Sequence, residues 1–294
     1  FYGMNKIKNS NYNFDESINV KIISPNFSLK DYSINSEFDQ LERLIQISEP
    51  EKDKKTLFIW PEGIFYESYL QNIVLYKDLF VDKFSKNHLI ILGINNFVNS
   101  DDLSKKKYFN SLVVLNHELK ILSVYNKLNL VPFGEYLPFE NFLSKFGLKK
   151  ITTGYSSFSP GDVRKIIKLN DQFNSKLILP LICYEIIYPG KIKMKNQHPN
   201  LAINISEDAW FGNSIGPYQH YAKAIYRSVE EGLFIARSAN KGVSGFIDPN
   251  GRSLKFLDTS ESGNVEHKMP QLVGPTLYSS YGNKIFFLII LLYI

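Results

Sequence analysis

Apolar and polar positions along this chain fall into short runs whose periods predict alternating strands and helices. Asn19–Ser24 alternates and predicts a first strand. Ser36 followed by Asp39 has capping-box spacing, and Phe38, Leu41, Leu44 and Ile45 then share one helical face. Thr56–Trp60 predicts a second strand that stops abruptly at Pro61, Glu62 and Gly63. Tyr69, Leu70, Ile73, Tyr76, Phe80 and Phe84 form the apolar stripe of a following helix. His88–Phe97, Tyr108–Leu115 and Ile121–Leu128 predict three more strands, the first two joined by a polar loop. From 129 to 162 the chain is rich in Pro, Gly, Phe and Ser and is long for a connection, as loops that cover a site or bind a ligand are. Beyond it, Arg164–Leu169 and Ser175–Cys183 predict strands, Pro189–Asn196 a short helix and Leu201–Ile205 another strand. Tyr218, Tyr221, Ala222, Ile225 and Val229 mark a helix stopping at Gly232. Phe234–Arg237, Gly242–Ile247 and Leu254–Leu257 complete the strands, with a turn at Asp248–Gly251. No repeat and no linker composition interrupts this order, so it predicts one α/β domain.

Composition changes this picture little. The chain has 294 residues, with 34 Lys and Arg against 29 Asp and Glu for a formal charge of +5. Its basic residues are scattered and lack the aromatic-interleaved stripe of a nucleic-acid surface, so no nucleic-acid partner is expected. A single cysteine excludes an intramolecular disulfide and fits either redox compartment. Both ends read as cut. Phe1 opens the chain without a signal-peptide pattern, and Ile285–Ile294 is an uninterrupted apolar run about half the roughly 20 residues of a membrane span. That run fits a buried terminal element or a truncated span equally well.

The chemistry gathers at three strand ends. Glu62 follows one apolar strand, Lys127 lies among apolar neighbours at the end of another, and Cys183, the only cysteine, ends a third. A lone cysteine is more often a small buried hydrophobe, Glu62 could cap a helix, and Lys127 could be a surface residue with a buried stem. Together the three fit covalent catalysis: a carboxylate base for the thiol, and an ammonium that favours thiolate and oxyanion. Among the histidines only His220, on a predicted helix, offers a papain-like partner for Cys183. No metal-ligand spacing, Gly-rich phosphate loop or nucleophile-elbow motif occurs, so neither a metal nor a cofactor is expected.

The order Glu, Lys, Cys at strand ends resembles the nitrilase or carbon–nitrogen hydrolase superfamily. The wording of the motifs resembles its apolipoprotein N-acyltransferase branch. Those motifs are Trp-Pro-Glu62-Gly, Tyr-Asn-Lys127-Leu-Asn-Leu-Val-Pro-Phe-Gly-Glu135-Tyr-Leu-Pro, Ile-Cys183-Tyr184-Glu185, Asp208-Ala-Trp210-Phe211-Gly, Gly216-Pro-Tyr-Gln-His220 and Arg237-Ser-Ala-Asn-Lys-Gly242. The resemblance runs from about Val20 to Gly282. It implies a nitrilase-like α-β-β-α sandwich over residues 1–282, with 283–294 opening a truncated C-terminal transmembrane helix. It implies Cys183 as nucleophile, Glu62 as general base and Lys127 at the oxyanion. Glu135 would position the lysine, while Tyr184, Glu185 and Asn110 would line the site. Trp210 and Phe211 would line an acyl channel, or else belong to the core. The implied activity moves an acyl chain from a phospholipid, through a cysteine thioester, to the N-terminal amine of an apolipoprotein, on the periplasmic side of a bacterial inner membrane. Phe142–Phe158 is the candidate lid over the thioester, or else a loop packed on the body. One position departs from the pattern: Glu207 stands where asparagine is expected, and a carboxylate facing the site would oppose thiolate formation. Two rival readings remain at this level: a soluble amidase or nitrilase with the same three residues, and a catalytically silent scaffold.

Overall fold

The structure of the protein, a computed structural model, describes residues 3, 5, 7, 10–28, 30–99, 106–139, 157–192 and 197–293. Two sheets dominate them. The first runs in the order β13 (Gly263–Pro270), β1 (Phe14–Ser24), β2 (Thr56–Ile59), β4 (His88–Asn99), β5 (Lys106–Asn116) and β6 (Ile121–Asn126), with β3 (Phe65–Tyr69) paired to β4. The second runs β12 (Ser253–Leu257), β11 (Ser244–Ile247), β10 (Ile235–Asn240), β9 (Leu201–Glu207), β8 (Leu177–Ile182) and β7 (Ile167–Lys168). The centre of each sheet is parallel: β1, β2 and β4 in one, β8, β9 and β10 in the other. Antiparallel strands flank both centres.

Alternating side chains on these strands divide between inner and outer layers. Val20, Ile22, Leu57, Ile59, Leu89, Ile91, Leu112 and Val114 meet Ile178, Ile182, Leu201, Ile203 and Ile205 in one buried cluster, so the two sheets pack face to face. On the outside of the first sheet, Phe58, Trp60, Ile90, Leu92 and Val113 pack against Leu41, Leu44 and Ile45 of helix α1 (Glu37–Ser48). Outside the second, Leu179, Leu181, Ala202, Ile235 and Ile247 pack against Tyr221 and Ala224 of α2 (Gly216–Glu231). Burial on both faces explains why the central strands read as near-continuous apolar runs. The result is a four-layer α-β-β-α sandwich.

Helix α1 begins with the expected capping box, Ser36 accepting from the Asp39 N–H while Asp39 accepts from the Ser36 N–H. Phe38, expected on its apolar face, instead points outward and is 47% exposed. At the far end Ser48 accepts from the Trp60 indole N–H at 2.9 Å, which ties the helix to the residue just before Pro61 and Glu62. Helix α2 stops where Gly232 takes a left-handed φ of 68°. Its buried face is rotated from the expected one. Tyr218 and Val229 are exposed, while Pro217, His220, Ala224, Arg227 and Ser228 are buried. Polar partners inside the fold decide this orientation, since His220 and Arg227 find hydrogen bonds there that the apolar spacing does not reveal.

Other boundaries also shift. The stretch from Tyr69 to Phe84 is not one helix but the end of β3, a 3₁₀ turn (Leu70–Tyr76) and a short helix (Lys77–Val81). The buried carboxylate of Glu37 holds it there, accepting from the Glu67 and Ser68 N–H groups and from the Tyr76 hydroxyl. Arg164 and its neighbours do not extend β7, because the guanidinium turns inward to Pro180 and Glu185. Pro189–Ile192 is turn and bend, not helix, and 193–196 lie outside the described residues. Strand β13 was not anticipated. The apolar run after Lys284 forms helix α3 (Lys284–Tyr293), with Phe286, Phe287, Leu288, Ile289, Leu291 and Leu292 exposed. Among the described residues no helix is long and apolar enough to cross a membrane.

Candidate active site

Parallel strands deliver functional groups at their C-terminal ends, and here strands of both sheets bring theirs close together. Glu62 sits just past β2. A Cβ at Gly93 on β4 would lie 2.8 Å from the Glu62 Cα, so only glycine lets that backbone approach. Lys127 follows β6 directly, its N–H donating to Asn110 O on the neighbouring β5 and its carbonyl accepting from the Gly161 N–H, both at 2.8 Å. Cys183 follows β8 as the first residue of a 3₁₀ turn (Cys183–Ile187) and takes a left-handed φ of 47°. A non-glycine residue there costs roughly 1–2 kcal/mol, the kind of strain that persists when the surroundings over-determine the conformation.

Lys127 is fully buried among carboxylates. Its ammonium lies 2.9 Å from Glu135 Oε1 and 3.4 Å from Glu62 Oε1. Asn110 Nδ2 donates to the same two oxygens, at 2.8 and 2.6 Å. Glu62 Oε2 accepts from the Glu207 N–H at 3.0 Å, and Glu135 Oε2 from the Val131 N–H at 2.8 Å. Burial works against the Lys127 charge, but Glu62, Glu135 and Cys183 outweigh it and hold its pKa above the ordinary lysine value. The ammonium therefore stays charged throughout the physiological range. The half-buried Cys183 thiol is pushed up, first by burial and then by the Glu62 charge. Lys127 and a hydrogen bond with Ser206 pull it back only partly. The resting group is thus a thiol, and any reaction through its sulfur would require a base to take the proton.

Below Cys183, the fully buried carboxylate of Glu185 fastens its turn to the Lys127 loop. Oε1 accepts from the Tyr125 hydroxyl, the Leu128 and Asn129 N–H groups and Arg164 Nη2; Oε2 accepts from the Ile182 N–H. On the other side of Cys183, Asp208 bonds Arg237 Nη2 at 2.7 Å, Ser206 Oγ at 2.7 Å and His220 Nδ1 at 3.0 Å. Burial opposes the Asp208 charge, yet Arg237 and His220 hold its carboxyl at about 2. His220 does not pair with the Cys183 sulfur. Its Nε2 lies 3.2 Å from the Cys183 carbonyl oxygen.

Glu207 faces this region from the end of β9. It accepts from the Ala209 N–H, from Asn240 Nδ2 and from the Tyr32 hydroxyl. Burial outweighs these bonds and, with the Glu62 charge, pushes its carboxyl up to about 8. Across the window from the ordinary value of 4.5 to about 8, the folded state holds the proton more tightly than the unfolded chain. Stability must therefore fall as pH rises through that window, and Glu207→Gln is expected to remove roughly 2–5 kcal/mol of that fall. Thermal melts of both proteins at pH 5 and pH 9 check this. A difference that does not change with pH would overturn it.

The structure gathers Glu62, Asn110, Lys127 and Glu135 in one buried cluster beside Cys183, with Glu185 bonded beneath the Cys183 turn. Tyr184 is half-buried beside Cys183, its ring meeting Tyr188 edge-on at 5.3 Å. Trp210 and Phe211 are not core residues, being 60% and 42% exposed on a 3₁₀ turn (Ala209–Phe211). Of the candidate lid, 142–156 lie outside the described residues; Phe158 donates its N–H to Glu135 O. Residue reasoning gave no role to Arg164, Asp208 or Arg237. A cation inside otherwise apolar or motif-dense sequence was the available signal for both arginines. Among the described residues no group of His, Cys, Asp and Glu is arranged to hold a metal ion.

The same sandwich recurs in solved proteins of the nitrilase superfamily. A mutant of the Nesterenkonia AN1 amidase matches with a TM-score of 0.58 at 14% identity, over 89% of this chain and 94% of its own. Saccharomyces cerevisiae Nit3 matches with a TM-score of 0.56 at 16% identity, over 87% and 91%. At these identities the match defines a fold class, nitrilase-like. The sequence goes further: a carbon–nitrogen hydrolase profile matches residues 78–276, and the chain belongs to that family. Curated relatives are named apolipoprotein N-acyltransferase. That of Rhodopseudomonas palustris is 32% identical over 96% of this chain and 53% of its own length; that of Rickettsia prowazekii is 33% identical over 96% and 55%. The Bradyrhizobium diazoefficiens relative is 35% identical over 78% and 42%. The chain spans about half the length of these relatives.

Proposed function

We propose that residues 1–282 form the catalytic domain of an apolipoprotein N-acyltransferase. The buried Glu62–Lys127–Glu135 cluster beside Cys183 carries the reading, together with similarity to relatives of that name over nearly the whole chain. Glu62 takes the Cys183 proton as sulfur attacks the acyl carbonyl of a phospholipid. Lys127, held charged by two carboxylates, faces the oxyanion. Collapse of the intermediate breaks the carbon–oxygen bond, and the lysophospholipid leaves with the proton from Glu62. The α-amino group of the lipidated N-terminal cysteine of an apolipoprotein then attacks the thioester, passes a proton to Glu62 and leaves as the amide, while the thiol is restored. Glu135 and Asn110 fix Lys127 and Glu62 in register, and Tyr184 and Glu185 shape the turn that bears the sulfur.

A lipid substrate is favoured over a small amide by exposed apolar side chains, of which Phe211 packs against His220. Trp210, Phe211, Phe133 and Phe139 are exposed, as is the apolar face of α3. Exposed apolar side chains of this kind fit an acyl chain and a membrane surface. On this reading 283–294 opens a membrane span, and the domain works on the periplasmic side of a bacterial inner membrane.

Intact-mass spectrometry after incubation with detergent-dispersed phosphatidylethanolamine tests the proposal. The expected result is a gain of one acyl group that hydroxylamine releases and that Cys183→Ser lacks. Turnover of small amides with no such adduct would replace the transferase reading with an amidase.

A further inference from the structure

The structure places a buried histidine on the backbone of the nucleophile itself. His220 Nε2 lies 3.2 Å from the carbonyl oxygen of Cys183. A carbonyl only accepts, so this contact requires the proton on Nε2. The other ring nitrogen is held between Asp208 Oδ1 at 3.0 Å and Arg237 Nη2 at 3.1 Å. Burial and the Arg237 charge lower the His220 pKa and favour the neutral ring, which carries one proton; with that proton on Nε2, Nδ1 is the acceptor for Arg237 Nη2. Asp208 and Arg237 are fully buried and bonded to each other, and Arg237 also bonds Asn204, so the imidazole rests on a rigid polar base. The Phe211 ring closes its remaining side, 5.8 Å away at 64°.

A trans peptide is planar, with its N–H opposite its C=O. Fixing the Cys183 carbonyl therefore fixes the direction of the Tyr184 N–H, which points away from His220. The amide after a nucleophile at such a turn is a general oxyanion donor. Cys183 has a left-handed φ, so without an anchor this peptide is free to relax from a conformation that is costly for a residue with a Cβ.

We propose that His220, backed by Asp208 and Arg237, is a positioning residue that holds the Cys183–Tyr184 peptide so that the Tyr184 N–H and Lys127 together receive the oxyanion. This deepens the proposed function by assigning the second donor's support. Two reactions of the same thiol separate the role from a merely structural one. Acylation by p-nitrophenyl acetate passes through an oxyanion, whereas alkylation by iodoacetamide at sulfur does not. His220→Asn keeps a polar group near Asp208 but is too short to reach the carbonyl, and His220→Gln restores a donor near the Nε2 position.

The expected result is acylation about 10²-fold slower in His220→Asn, recovery to within about tenfold in His220→Gln, and unchanged alkylation in both. Acylation and alkylation falling in parallel would overturn the proposal, as would equal loss in Asn and Gln or no loss in Asn. Because the ester reports on the thiol directly, the comparison holds even if phosphatidylethanolamine fails as donor, and failure of that lipid alone removes only the transferase reading.

Discussion

Cys183→Gly is expected to abolish acyl-enzyme formation, on the order of 10⁶-fold in rate, while leaving the protein at least as stable as the parent. Chemistry is lost because no other described thiol exists. Stability is kept because φ at this position is 47°, a conformation that glycine adopts freely and a residue with a Cβ does not. The packing lost is that of one small, half-buried side chain. Cys183→Ala isolates the two effects, since it loses the same chemistry yet keeps the backbone penalty and should unfold about 1 kcal/mol more easily than the glycine variant. Denaturant melts of the three proteins provide the check. If glycine destabilises more than alanine, the cysteine is a packing residue and not a strained nucleophile.

Glu185→Gln is the substitution expected to damage the fold most, by about 3–5 kcal/mol. The carboxylate is inaccessible to solvent and accepts from Tyr125, Leu128, Asn129, Arg164 and Ile182. An amide cannot accept with both ends, so one half of the side chain confronts donors, and the Arg164 guanidinium is left without its counter-charge. Activity should fall as well, because the same carboxylate links the turn carrying Cys183 to the residues following Lys127. Replacing Arg164 and Glu185 together with apolar residues should recover part of the stability but not the activity. A single-variant loss below about 1 kcal/mol would show that the link carries little of the fold.

The layers of the sandwich were legible because both faces of each central strand are buried, so Thr56–Ile59 and Leu201–Ile205 announce themselves as largely apolar runs. The strand-end positions of Glu62, Lys127 and Cys183 followed from the same runs breaking into polar residues. Strand β13 was not legible. Asn264, Glu266 and Lys268 make it look like loop, and only its pairing with β1 orders it. Helix α2 shows the same limit from another direction. Apolar spacing chose Tyr218 and Val229 for its inner face, but hydrogen bonds to His220 and Arg227 rotate it. Such long-range polar pairings leave no period in a sequence. Glu207 was visible as an oddity, yet nothing local foretold that Tyr32 and Asn240 would both turn toward it.

The position of β1 has a consequence for how the molecule is made. It lies between β2 and β13, with Ile22 opposite Ile59 on one side and Val265 on the other. Strand β1 is therefore made long before β13, which closes its second edge. Pairings so distant in sequence are slow to form, and an unclosed strand edge recruits other chains. A nascent chain that has not reached Gly263 holds the apolar strand beside Glu62 with a bare edge. Its hazard is self-association before completion, which ends only when the final part of the domain arrives to cover it.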